Sequence, residues 1–316
     1  MFENLVSVST QVAILFAMIA LGAVLRRTKL LDDKIVKGFV DVLVVVVTPC
    51  LVVHAFQRPF SPDMLKSLGF VALAASTGHV AAIALSYALI HHRNPHTKNV
   101  LRLAAVFSNA GFMGIPLEHA LLGDTGVFYG VVYIGVFNVF IWSWGLCTVR
   151  NVSTKQLFGS EVKSMFVNPG TIGLALGLPF FFLSMRLPEV LGKPVEYMAG
   201  LNTPLAMLAI GYYLAGAKAG PIFRTPAAYV AGAFRLVAFP LMIIGALWAF
   251  GHVISLDRTM MLALVVSASA PVAALTSMLA ARYGSDVDMS AGMVGGTTLL
   301  SIATMPPVIA LAMQVL

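Results

Sequence analysis

Charged residues are scarce in this sequence: Asp, Glu, Lys and Arg make up 10% of its 316 residues, whereas hydrophobic types make up 59%. Ordinary soluble domains carry roughly a quarter charged residues. A chain this apolar cannot cover a water-soluble surface, so lipid is expected to be the solvent for much of it. No stretch is both long and polar, which excludes a separate soluble domain and places any binding chemistry within the membrane. Cysteine is nearly missing too. Cys50 and Cys147 both lie in apolar runs with no CxxC pair, so disulfide, redox and thiolate-metal roles have no basis. Neither an HExxH spacing nor a GxxxxGK[ST] stretch occurs. No metal, no cofactor and no intrinsic ATP-driven pump are therefore expected. Paired acids, or a nucleophile beside a base, are also missing, so a membrane-embedded enzyme is not the reading. A sensor would need a soluble output domain or a long tail, and neither is seen. The opening MFENLVSVSTQ holds no basic residue before the first apolar run, unlike a secretory leader, and this run is expected to remain as the first helix.

What is present is a series of apolar runs, each long enough for the ~20 residues a membrane crossing requires. They fall at 5–26, 36–57, 64–91, 99–121, 125–149, 166–186, 194–217, 225–251, 256–281 and 287–315. The net charge of +7 would raise nucleic acid as a partner in a soluble protein. Here Lys and Arg cluster at span ends, so no nucleic acid is expected and the positive-inside bias accounts for the charge. Fourteen of them, from Arg26, Arg27, Lys29, Lys34 and Lys37 to Lys218, Arg224 and Arg282, follow odd-numbered spans. Five, Arg58, Lys66, Arg186, Lys193 and Arg258, lie on the other side. The odd loops are thereby assigned to the cytoplasm and both termini to the outside. Asn151-Val152-Ser153 matches a glycosylation pattern but falls on the cytoplasmic side.

The longest polar connector, RNVSTKQLFGSEVK at 150–163, separates two halves of five spans each. The expected organisation is 1–150, a connector at 151–165, and 166–316. With an odd number of spans per half, the second half enters from the opposite side, so a repeated fold would be inverted. Thr48-Pro49 and Thr203-Pro204 echo one another in spans two and seven, as do Ser108-Asn109-Ala110 and Ser269-Ala270-Pro271 in spans four and nine.

Span four reads SNAGFMGIPLEHALLGDTG, with Asn109, Gly111, Gly114 and Pro116 in eight residues. Proline removes an amide donor and clashes with the preceding turn, and glycine is about 1 kcal/mol worse than alanine in a helix. In hydrocarbon, freed backbone groups are tolerated only where they meet protein or a water-filled cavity. Span nine carries SASAPVAALTSM, where Ser269 is suited to cap a new half-helix and Pro271 to its first turn. Two half-helices starting near the midplane would aim their positive ends at one point and favour an anion such as a carboxylate.

SNAGFMGIPL at 108–117, NPGTIGLALGLP at 168–179, NTPLAMLAIGYYLAG at 202–216, APVAALTSMLAARYG at 270–284 and SAGMVGGTTLLSIATMP at 290–306 resemble the auxin efflux carrier family. That family includes plant hormone exporters and bacterial carriers of malonate, malate and similar acids. The resemblance implies an all-α polytopic membrane protein of ten transmembrane helices in two inverted five-helix repeats, with helices four and nine broken and crossed at the substrate site. It implies that Asn109 and Pro116 mark the first break and Pro271 the second. The short connector matches bacterial members rather than plant ones.

Ionisable residues within spans are functional candidates by default. Glu118 either complements a half-helix N-terminus or carries a coupling proton. His79 either makes a helix-to-helix hydrogen bond or handles protons. Arg235 either snorkels to the cytoplasmic end of its helix or holds a substrate carboxylate, and Asp41 pairs with Lys37 or a neighbour. Asn138 and Asn202 line a cavity or bridge helices. The leading expectation is a secondary carrier of a small organic anion, with Asn109, Gly111, Gly114, Pro116, Asn138, Ser269 and Pro271 around the substrate and Glu118 and His79 as proton-coupling candidates. A sodium-coupled symporter of the bile-acid type is the alternative, although neither break holds an acid suited to a sodium cage. The bilayer of a bacterial inner membrane and a homodimeric arrangement complete the expectations.

Overall fold

Helices form within each of the expected apolar runs, and no strand forms among the described residues. The computed structural model describes residues 2–152, 169–216 and 222–316. The connector at 151–165 falls almost wholly outside them. In chain order the helices are α1 (Phe2–Arg27), α2 (Asp33–Phe56), α3 (Pro62–Leu89), α4 (Pro95–Val106) and α5 (Ala110–Arg150). Then come α6 (Pro169–Phe182), α7 (Glu189–Gly200), α8 (Asn202–Gly216), α9 (Pro226–Gly251), α10 (Arg258–Ser269), α11 (Ala274–Arg282) and α12 (Val287–Val315). By length and composition, α1, α2, α3, α5, α9 and α12 can each cross a membrane, and the chain is an integral membrane protein.

Side-chain capping sets several of the starts. Asp32, Ser61, Asn94, Asp257 and Asp286 each accept a backbone N–H from the first turn of α2, α3, α4, α10 and α12. Such caps satisfy amides that have no partner within the helix. α5 is not one rod. Gly123 takes φ +64°, which glycine adopts without steric cost, and the chain doubles back there. Glu118 consequently lies against Gly130, twelve positions later, where a straight helix would hold them about 18 Å apart.

Glycine also lets backbones touch across the bundle. A Cβ on Gly22 of α1 would overlap the Leu208 carbonyl of α8, and one on Gly211 of α8 would overlap the Ile19 carbonyl of α1. Gly173 and Gly177 of α6 pack closely on the Val52 and Phe56 side chains of α2. With lipid as solvent, close approach of this kind supplies the association that apolar burial supplies in water. Connections sort into two faces. Gln57 and Phe60 bond Leu187 and Ser184 on one. On the other, Thr97 donates to Asp286 and Ser285 to the His96 carbonyl.

Candidate functional site

Two helices stop where two extended segments meet. α4 ends at Val106 and α10 at Ser269. Phe107 is extended (φ −98°, ψ 116°), and so is Ala270 (φ −61°, ψ 147°). The second stop follows from Pro271, whose ring pushes the preceding residue out of helical space. The segments pair antiparallel at Ser108 and Val272. Asn109 N–H donates to the Pro271 carbonyl (2.6 Å) and Ala273 N–H to the Phe107 carbonyl (3.0 Å). Backbone groups freed by the breaks thus satisfy each other, as a low-dielectric interior requires.

Side chains complete the crossing from both sides. The Ser108 hydroxyl lies 3.3 Å from the Tyr133 hydroxyl, and Val272 N–H donates to Thr297 Oγ1 at 3.1 Å. Tyr133 follows Ser108, and Thr297 follows Val272, by the same 25 positions.

Arg235 lies at the centre of this arrangement and is fully buried. Its Nη1 donates to the Val106 carbonyl at 2.9 Å and its Nη2 to the Ala268 carbonyl, while the guanidinium rests 4.5 Å from the Phe239 ring centroid. Helix C-termini present orphan carbonyls and about half a negative charge each. One planar guanidinium serves both ends. The snorkelling expected of Arg235 is therefore incorrect, because carbonyls at the crossing hold it away from any interface.

The positive ends are treated differently. The turn at Ala110–Gly114 that opens α5 begins after Asn109, and α11 begins after Ala273, both without a side-chain cap. Ser269 was expected to cap the second of these starts, and it does not. It is the last residue of α10, its Oγ donates back to the Val265 carbonyl (2.6 Å), and Pro271 precedes α11 instead of entering its first turn. Ser108 consequently pairs with Val272, not with Ser269.

Asn109, Pro271 and Ser269 come together at or beside the crossing. Gly111 is exposed at the start of α5, Gly114 packs on Ser267, and Pro116 is buried one turn further on. Glu118 is fully buried; Ser267 Oγ donates to its Oε1 at 2.5 Å, and Oε2 has no hydrogen-bond partner among the described residues. His79 is buried, with Nδ1 2.7 Å from its own helix's Ala75 carbonyl and its ring 5.1 Å from Phe140 and 5.5 Å from Tyr133. The expected helix-to-helix bond of His79 is thus replaced by one within α3. Asn138 is buried in the returning arm of α5. Asp41 forms no ion pair among the described residues. Tyr133, Ser267 and Thr297 were not singled out from sequence, although a hydroxyl in an apolar span is itself a signal.

A cavity of about 460 Å³ lies beside the first break, with Ile115, Leu51, Ala199 and Asn202 among its lining. Asn202 therefore lines a cavity, one of the two readings open to it.

A family model described as "Membrane transport protein" matches residues 7–309. The chain is 24% identical to an uncharacterized transporter of Methanothermobacter thermautotrophicus, over 92% of this chain and 93% of that one. It is 27% identical to a protein of Rhizobium meliloti named "Putative malonate transporter", over 77% of this chain and 76% of that one. A third relative, an uncharacterized transporter of Methanocaldococcus jannaschii, is 22% identical over 64% of each.

Proposed function

Since the chain belongs to the membrane transport protein family known for its auxin efflux carriers, we propose that it is a secondary carrier moving a small organic anion, a carboxylate, by alternating access about the crossing. The observation that carries this reading is the unequal treatment of helix ends. Both negative ends are consumed by Arg235, whereas both positive ends start without a side-chain cap. What remains facing the break is a net positive field of backbone amides, suited to a carboxylate. A malonate-named relative supports a short dicarboxylate as the first cargo to try.

The architecture in this proposal is ten spans in two inverted halves, 1–150 and 166–316. α5 then counts as the second part of span four plus span five, α7 and α8 as span seven, and α10 and α11 as span nine. Reciprocal contacts support it: the first span packs on the seventh through Gly22 and Gly211, and the second on the sixth through Gly173 and Gly177. The paired hydrogen bonds at the breaks, each joined to a side chain 25 positions later, point the same way. The excess of Lys and Arg on the face bearing Arg93, Lys98 and Arg282 supports a cytoplasmic position for that face, with both termini outside a bacterial cell membrane.

Within the site, Asn109, Gly111 and Gly114 border the cargo, Pro271 fixes the second break, Pro116 lies in the helix that follows the first, and Asn138 and Ser269 stand behind them. Glu118, with one oxygen unpaired, is the seat for a coupled proton, and His79 is the second candidate. An inside-negative potential favours anion export by about 2.3 kcal/mol per charge per 100 mV, so export needs no coupling ion.

The test is malonate flux from proteoliposomes holding the purified chain. Expected are efflux accelerated by an inside-negative potential, indifference to sodium, and at least about a tenfold loss in Asn109→Ala. Absence of flux for malonate and for a panel of mono- and dicarboxylates, from protein that is folded, rejects the carrier. Unchanged flux in Asn109→Ala removes that residue from the site.

A further inference from the structure

The cavity beside the first break has a charged rim that the transport reading does not use. His54 near the end of α2, His119 before the Gly123 reversal and Asp124 just after it meet there, separated in sequence but brought together by the doubling back of α5. His54 Nε2 lies 3.6 Å from Asp124 Oδ2, and His119 Nε2 lies 3.4 Å from Asp124 Oδ1. All three side chains line the cavity, together with Glu196, Tyr197, Asn202 and Thr203, and all three are between 30% and 54% exposed.

We propose that this rim is a second binding site, an antechamber that docks the cargo's carboxylate when His54 and His119 are both protonated. The proposal rests on the carrier reading for the identity of its ligand. Three observations carry it. First, the single carboxylate of Asp124 faces the Nε2 atoms of both rings and holds them at one mouth. Second, the space is adequate for a small acid, and its lining includes Ile115, which directly follows Gly114 of the first break. A ligand held at the rim is therefore beside the turn that follows the first break.

Third, the charges balance so that two protons decide the sign. The groups facing the cluster are Glu196 and Tyr197 with Lys193 on α7, Arg58 after α2, and Tyr129 on α5. Glu196 pairs with Lys193 at 2.9 Å. Arg58 donates to Thr125 Oγ1 at 3.3 Å and lies over the Phe128 ring, beside Asp124. With neutral imidazoles the two acids and two bases cancel. With both imidazoles charged the rim is positive and attracts an anion.

The experiment measures binding of methanedisulfonate, a strong-acid mimic of malonate whose own charge does not change, to the full chain in nanodiscs at about pH 6 and about pH 8, on either side of the ordinary histidine range. In an Asn109→Ala background, which removes the inner contact, binding is expected about tenfold tighter at the lower pH. The added pair His54→Gln and His119→Gln should abolish that difference while leaving the melting temperature in place. Asp124→Asn should keep binding but move its midpoint to lower pH, because the imidazolium ions lose their counter-charge. A pH dependence that survives both histidine substitutions overturns the proposal, as does absence of binding at both pH values. Low-pH binding without carboxylate flux would instead sustain the antechamber and defeat the carrier reading, so the two failures are distinguishable.

Discussion

Arg235 and Asp124 are each the hub of a three-part contact, yet they work in opposite surroundings. Arg235 is fully buried and bridges two backbone carbonyls; Asp124 is 46% exposed and bridges two imidazoles. A buried guanidinium keeps its charge at every physiological pH and its planar fork is preorganised for two acceptors. An exposed carboxylate between titratable rings holds a contact that solvent screens and protons modulate. The same geometric idea therefore gives a fixed joint at the crossing and an adjustable one at the cavity mouth.

Replacing Arg235 should show the largest effect. Arg235→Met leaves two buried carbonyls without donors and two helix C-termini without compensation, with an expected loss of about 3–5 kcal/mol. Thermal unfolding in nanodiscs measures it. Arg235→Lys keeps the charge but cannot reach both carbonyls in one plane, so it should recover only part of the loss. Full stability in Arg235→Met would show that the joint is not fixed by this residue. Next in size is Gly130→Ala. The new methyl would overlap the Glu118 carboxyl, and overpacking typically costs about 1–3 kcal/mol. Glu118→Ala in the same chain should relieve most of that penalty, whereas additive losses would mean that the carboxyl does not lie where the structure places it.

The helices were legible because hydrocarbon admits few alternatives: an apolar run must satisfy its own backbone, so its position in sequence becomes a helix in space. Pro271 was legible as a break for a similar reason, since it acts on its neighbour through the chain itself. Ser269 misled. A hydroxyl before proline looks the same in sequence whether it caps the next helix or bonds back to the last one, and Ser269 bonds back to Val265. Arg235 was equally ambiguous, because a mid-span arginine that snorkels and one that stitches two helix ends have the same flanking residues. The His54–Asp124–His119 cluster left no trace in sequence, since the reversal that assembles it turns on the single left-handed Gly123.

Smaller effects test whether the two broken helices are equivalent. Thr297→Val removes the acceptor for the buried Val272 N–H and should cost about 1–3 kcal/mol, the usual penalty for an orphaned buried donor. Its counterpart Tyr133→Phe leaves the Ser108 hydroxyl free to turn elsewhere and should cost about 0.5–1.5 kcal/mol. A larger loss in Tyr133→Phe would reverse the ranking and make the first break the more dependent on its hydroxyl.

The smallest change in stability is expected at the cavity mouth. Exposed ion pairs contribute about 0–1 kcal/mol, because solvent replaces much of what either partner loses. Asp124→Asn should therefore melt within about 1 kcal/mol of the parent near neutral pH. The difference should widen on acidification, since only charged imidazoles gain from the carboxylate and the asparagine chain loses that gain as they protonate. The sign follows from linkage: a carboxylate that favours protonated histidine adds stability below the histidine range, and that stability fades as pH rises through it. Melting curves of the two chains should thus diverge at low pH and converge at high pH. Parallel curves would mean that Asp124 does not sense the charge of His54 and His119, and the contrast with Arg235 would then reduce to burial alone.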